Sequence, residues 1–419
     1  MRQLTNIFLF VISLLAFDFA CAEPVNRLTL DQAIINVLEH NPMLKAADFE
    51  SEAAAARIRT AKQSPRYRGT IELENFAGNG LYNGGDSLET TLSLSKVLEL
   101  GDKAMLRGEL SSNKAMLLRN EQDSKRLDLL ADTTKQFIEV VTDQHRLINA
   151  EESISISRHV KQVVEKRVKT GKSPTTELRR AKIAFARSEL ALSHAKHKLE
   201  STRLKLVTLW GETKVSYTIA DANLFDIEQI IPFESLVSLL EHNPDLIRFA
   251  TEKRLAQARS LLTKSSANSD LIISGGIRHF NATDDTALVL SLNVPFGTSS
   301  RAQSNIEETE KMILREPYLY EQRRLKLYST LFELHREITH ASDAVTALRE
   351  NIIPQAEQAL QEYVNGYSAG RYSFPELTDA QQLLNDLKLE MIITASDYHR
   401  YHIEIDRLTG AGLSAGVVQ

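Results

Sequence analysis

Few residues in this chain are typed and spaced for chemistry. His194 and His197 stand three apart on a helical stretch, a spacing that can bind a metal. No carboxylate or cysteine set is expected beside them, so they read as a solvated helix face. There is no glycine-rich phosphate loop, no HExxH and no serine or cysteine nucleophile with a credible partner set. The expectation is therefore no enzyme, no cofactor and no metal site. The informative polar residues flank two glycine turns. Thr170, Gly171, Lys172 and Ser173 precede Glu177, while Tyr367, Ala369, Gly370 and Arg371 precede Glu376 and Asp379. Exposed charges at helix ends pair for about 0–1 kcal/mol each. Such groups suit a weak, reversible contact.

Those turns lie inside a long-range repeat. The string LEHNP occurs at Leu38–Pro42 and again at Leu240–Pro244, 202 residues apart. Thr170-Gly171 with Glu177, Leu178 and Ala181 recurs as Ala369-Gly370 with Glu376, Leu377 and Ala380, each pair 199 apart. Leu92-Ser93-Leu94 answers to Leu290-Ser291-Leu292 at 198, and Leu209-Trp210-Gly211 to Leu408-Thr409-Gly410 at 199. Anchors in one order with so little drift indicate an internal duplication: a first module over 23–220, a second over 221–412, and a tail over 413–419. A unit of this size is far longer than the ~20–50 residue periods of solenoids.

The composition fits long helices, because only 6% of the 419 residues are aromatic and Ala, Leu, Glu, Lys and Arg dominate long stretches. Net charge is −5 with both signs interspersed, so no polybasic surface points to nucleic acid. Residues 1–22 read as a secretory signal, with Arg2, the apolar core Ile7–Phe17 and an Ala20-Cys21-Ala22 cleavage site. Cys21 leaves open an acylated alternative; plain cleavage after Ala22 leaves a mature chain without cysteine. Beyond the signal no run approaches the ~18 apolar residues of a transmembrane helix.

Each module reads as helices around one hairpin. In the first, Ile71 and Leu73 alternate with Glu72 and Glu74, and Leu88, Thr90, Leu92 and Leu94 with Glu89, Thr91, Ser93 and Ser95. This predicts a β-hairpin over about 69–97. A proline-free helix follows over about 102–168, then a returning helix over 174–209. The second module predicts a hairpin over 271–295, a helix over 299–367, and a last helix ending near Gly410. Two-faced strands of this length suit either a soluble sheet or a membrane barrel with a wet lumen. Export, no membrane-spanning helix and no other core-sized domain favour the barrel. Two hairpins are only four strands, and open edges do not survive in lipid. Three chains would close twelve.

The pattern resembles the TolC-like outer-membrane channels of tripartite efflux and type I secretion systems. The likeness rests on LTLDQAIINVLEHNP, LELGDKAMLR (Leu98–Arg107), NVPFG (Asn293–Gly297), NIIPQAEQAL (Asn351–Leu360) and GYSAGRYSFPELTDAQ (Gly366–Gln381). LELGDKAMLR and LVTLWG look most like the outer-membrane components of cobalt–zinc–cadmium efflux systems, with Asp102 where a second glycine is usual. The resemblance implies a mainly α chain with a small membrane β part: a homotrimer with a 12-stranded barrel in the lipid of a Gram-negative outer membrane. A helical barrel would cross the periplasm, each long helix running alongside two shorter ones stacked end to end. Implied partners are a periplasmic adaptor and an inner-membrane, proton-driven pump of the RND type. Drug efflux, protein secretion and, less well, a periplasmic scaffold are the alternatives.

The resemblance also assigns roles at the turns. Glu376 and Asp379 fall on acids ringing a closed periplasmic aperture, Glu177 on an acid that pairs across coils, and Tyr367 on its hydrogen-bonding tyrosine. The expected basic partner position holds Tyr372, with Arg371 one residue earlier, so the latch would be either an Arg–Glu ion pair or a Tyr–Glu hydrogen bond. Thr170, Gly171, Lys172 and Ser173, with Ala369 and Gly370, would meet the adaptor.

Overall fold

The computed structural model describes residues 26–410; the expected signal, Cys21 and the C-terminal tail lie outside them. The chain opens with a two-residue strand β1 (Arg27–Leu28) and two helices, α1 (Leu30–His40) and α2 (Pro42–Ala61). Thr29 caps α1 in a reciprocal capping box with Gln32. The first hairpin is β2 (Arg68–Glu74) and β3 (Glu89–Leu98), followed by α3 (Lys103–Lys169) and α4 (Thr175–Thr208). With 67 residues, α3 is about 100 Å long. The connector holds β4 (Ile219–Ala220), which pairs in parallel with β1 and was not foreseen from sequence.

The second half follows the same order. It runs through α5 (Phe233–Leu239), α6 (Pro244–Ser265), β5 (Leu271–Phe280), β6 (Asp285–Asn293), α7 (Thr298–Ala347), α8 (Ile353–Ala369) and α9 (Phe374–Thr409). The helix expected over 299–367 is present, but Leu348–Ile352 widens into one π-helical turn between α7 and α8. Pro354 follows at once; its missing N–H and its ring are incompatible with a regular turn there.

The helices form one layer. On one side α3 packs against α2 and α4 stacked end to end, and on the other against α6 and α9, while α7 lies beyond both α6 and α9 and α8 beyond α9. The LEHNP repeat builds both stacking joints. Asn41 Oδ1 accepts from Met43 N at 2.8 Å to cap α2, while its Nδ2 donates to Leu209 O at 2.6 Å beyond the end of α4. Asn243 does the same in the second half, accepting from Asp245 N at 2.8 Å and donating to Leu408 O of α9 at 2.6 Å. The following proline fits because the first helical N–H needs no partner.

At one end of the layer sits an antiparallel sheet of order β2-β3-β5-β6. Register puts Ile71, Leu92, Ile277 and Leu288 in one cross-strand row, with Leu94 and Leu290 in the next, all on one face. Among the described residues nothing covers that face: Leu288 is 82% exposed, Leu290 85% and Ile71 70%. The other face carries Glu72, Glu74, Glu89, Thr91 and Arg278. Asp102, in place of the usual second glycine, begins α3 in the left-handed region at φ 57°, beside Gly101 at φ 80°. Aspartate tolerates that region better than most side chains.

Candidate functional site

The two glycine turns lie at the end of the layer farthest from the sheet. Each ends a helix in a left-handed glycine, Gly171 at φ 71° and Gly370 at φ 80°. The backbone closes both turns alike: Gly171 N donates to Val168 O and Lys172 N to Arg167 O, as Gly370 N does to Tyr367 O and Arg371 N to Gly366 O. Thr170, Gly171, Lys172, Ala369 and Gly370 are exposed at the tip, and Ser173 is half-buried.

Beneath the tip, one arginine ties the two turns together. Arg167 Nη1 donates to Tyr367 O at 2.7 Å and Ser368 O at 3.0 Å, satisfying carbonyls at the end of α8. Its Nε donates to Ser173 Oγ at 3.1 Å and its Nη2 to Lys172 O at 3.2 Å. The guanidinium also sits 4.8 Å from the Tyr367 ring centre, within cation–π range. Arg167 was not singled out from sequence. Its one signal is a break in the repeat, since the position 199 residues on is Gly366.

Tyr367 is 2% exposed, and its Oη donates to Glu177 Oε2 at 2.7 Å. Burial pushes the Tyr367 hydroxyl up from its ordinary range, and the bond to Glu177 adds to that shift. Glu376 and Asp379 share the first turns of α9, both exposed. Glu376 is engaged locally: Oε2 accepts from Ser373 N and from Ser373 Oγ, each at 2.7 Å, completing a capping box. These bonds hold its carboxyl below the usual carboxylate range. Arg371 is exposed and has no ion pair among the described residues. Tyr372 packs against Tyr363 at 4.7 Å and lies over Gly366, where a Cβ would come within 2.2 Å of its ring.

The His194–His197 stretch needs one correction. His197 Nδ1 lies 3.7 Å from Glu200 Oε2 on the next turn, so a carboxylate does stand beside the pair. Among the described residues no group of three or more His, Cys, Asp and Glu side chains is placed to hold a metal ion, and no helix is long and apolar enough to cross a membrane.

Residues 33–212 match the outer membrane efflux protein family. That match lies within the first of the two repeats. One relative is the cobalt-zinc-cadmium resistance protein CzcC of Cupriavidus metallidurans, 24% identical over 388 residues, covering 93% of this chain and 91% of CzcC. Among solved structures, CusC superposes with a TM-score of 0.76 at 17% identity, covering 91% of this chain and 92% of CusC. The open state of the Neisseria gonorrhoeae MtrE outer membrane channel superposes at 0.73 with 16% identity, covering 92% and 89%. The TolC-like fold expected from the sequence is thus the fold of this chain.

Proposed function

We propose that three copies of this chain form the outer-membrane exit duct of a tripartite efflux system exporting heavy-metal cations. The observation that carries the duct is the bare apolar face of the sheet, set above a helical layer about 100 Å long. An uncovered row of leucines is costly in water and favourable in hydrocarbon. Lys96 lies at the helix end of that same face, its Nζ 3.2 Å from Tyr67 Oη and 4.5 Å from the ring centre. A lysine and an aromatic at the edge of an apolar band are the usual interfacial anchors. Strands β2 and β6 end the sheet, and closing them on neighbouring copies gives a barrel of twelve strands from two duplicated modules per chain.

In this arrangement the helices cross the periplasm of a Gram-negative cell. The tip, with Thr170 to Ser173 and Ala369 to Gly370, meets an adaptor bound to an inner-membrane pump of the RND type. The link from Tyr367 to Glu177, braced by Arg167, holds the aperture closed, and Asp379 faces the opening. The cargo assignment follows the likeness to CzcC. It is tested by a susceptibility panel on a strain lacking the gene, setting zinc, cadmium, cobalt, copper and silver salts against dyes and detergents. Sensitivity to metals alone is expected. Sensitivity to dyes and detergents alone would move the duct to drug efflux.

A further inference from the structure

Three helices near the sheet enclose a trough that the duct reading does not use. α6 packs against both α3 and α7 and forms its floor, with the other two helices as walls. Its volume is about 860 Å³, within the range of small-molecule sites. Leu110 and Leu117 of α3, Phe249 and Leu255 of α6, and Met312 and Leu319 of α7 supply an apolar surface. Most charges set into that surface are already paired. Arg248 Nε lies 3.1 Å from Glu252 Oε1, Arg315 Nη2 donates to Glu316 Oε1 at 2.9 Å, and Arg323 bonds to Asp245. Glu316 is only 6% exposed. Burial holds the Glu252 carboxyl above the usual carboxylate range, against the pull of Arg248, as expected of a poorly hydrated floor.

Three cations remain. Lys114, Arg259 and Lys326 line the same trough, one from each helix; all are exposed, and none has an ion pair among the described residues. An apolar trough with this surplus of positive charge complements an alkyl chain that carries a negative head. We propose that the trough binds a soluble anionic amphiphile, its chain along the apolar floor and its carboxylate or sulfate head among Lys114, Arg259 and Lys326. One chain builds the trough by itself; its place in water rests on the duct proposed above. In that arrangement Leu110 lies about 10 Å along α3 from Lys103, where the helix leaves the sheet. A bilayer lipid keeps its chains on the far side of its head groups, so a trough below the sheet draws its ligand from the periplasm. The ligand class is thus a free fatty acid or alkyl sulfate, not a membrane phospholipid.

The test places an indole at the rim of the trough by Met312→Trp, in the full-length protein held in phosphatidylcholine nanodiscs. The native Trp210 is 5% exposed and serves as an internal control. The probes are ω-bromoundecanoate, whose bromine quenches indole on contact, and ω-bromoundecyltrimethylammonium, with the same chain and the opposite charge. The acid should quench the introduced indole saturably and leave Trp210 bright, while the ammonium binds about tenfold more weakly. Each methylene removed, as in ω-bromooctanoate, should weaken the acid by about twofold to fourfold. Lys114→Gln, Arg259→Gln and Lys326→Gln together should bring the acid close to the ammonium, again about tenfold for three exposed charges. Equal quenching by acid and ammonium, indifferent to the three glutamines, would overturn the site: the cations would then only lay their stems over an apolar wall. Quenching of neither probe at the rim, or of Trp210 to the same extent, would overturn it too. Insertion into the nanodisc is read separately and tests the duct, so the two readings fail independently.

Discussion

At the residue scale, the tip depends on two side chains that do different work. Tyr367 supplies one bond to a carboxylate, whereas Arg167 binds carbonyls and a hydroxyl on both turns. A hydrogen bond to a charged partner contributes about 1.5–3 kcal/mol. Tyr367→Phe should therefore loosen the tip and raise single-channel conductance. Arg167→Ala should raise it further, since it leaves the carbonyls of Tyr367 and Ser368 without that donor. Because burial and Glu177 raise the Tyr367 pKa, its bond is fully present below the ordinary tyrosine range and is lost as pH rises through the folded value. Conductance should stay flat from neutral to about pH 9 and climb only beyond about pH 10. A rise starting near neutrality would remove Tyr367 from the latch. For the acids, Asp379→Asn is the cleaner probe, because Glu376 also caps α9. Glu376→Gln keeps a capping-box residue, so any further gain in conductance from it reports charge; Glu376→Ala would confound the loss of charge with the loss of its capping-box bonds.

At the element scale, long helices and two-faced hairpins were legible because periodicity and turn residues agree over long windows. Strand ends moved by only a residue or two, and α3 begins at Lys103, one residue after the expected start. What could not be read was pairwise. Nothing local marks Ile219–Ala220 as the partner of Arg27–Leu28, nor Arg167 as the bridge to Tyr367, because both contacts join positions about 200 residues apart. The π-helical turn before Pro354 was missed for another reason: a helix pattern runs straight through it, and only the proline hints at the irregularity. LEHNP shows both sides, since its Asn-Pro reads as a helix start, but the second bond of each asparagine appears only in three dimensions. Asn243→Asp keeps the capping oxygen and sets a carboxylate against the Leu408 carbonyl. It should lower the thermal midpoint, with a loss of about 1–3 kcal/mol for a buried carbonyl left unpaired. Asn243→Ala, losing the cap as well, should cost more. An unchanged midpoint in Asn243→Asp would show that the joint to α9 contributes nothing. Nearby, burial opposes the charge of Asp245, yet bonding to Arg323 with Arg407 and Ser124 outweighs it and leaves the pKa lowered. Its contribution is thus present above the ordinary carboxylate range and fades as pH falls through the folded value. Asp245→Asn should flatten the acid limb of a melting-temperature profile and leave the neutral limb merely lower.

At the scale of the whole molecule, the sheet decides between a duct and a soluble scaffold, because only a duct needs its outer face bare. Two neighbouring residues of β6 separate the cases. Leu290 lies on the uncovered apolar face at 85% exposure, and Val289 faces the opposite, polar side. An arginine on the lipid side of a membrane barrel costs about 2–4 kcal/mol at mid-depth, while lumen substitutions are tolerated. Three chains multiply that cost. Leu290→Arg should therefore prevent assembly in the outer membrane, and Val289→Arg should assemble but alter ion selectivity. The measurement is outer-membrane fractionation, followed by trimer detection in unheated detergent gels. In a soluble sheet the ranking would be lost, because an arginine replacing an exposed leucine in water costs little. Equal tolerance of the two variants would thus remove the lipid from the account and the barrel with it. Failure of Leu290→Arg alone would place the hydrocarbon against that face, leaving closure by neighbouring chains as the only way to satisfy the backbone edges of β2 and β6.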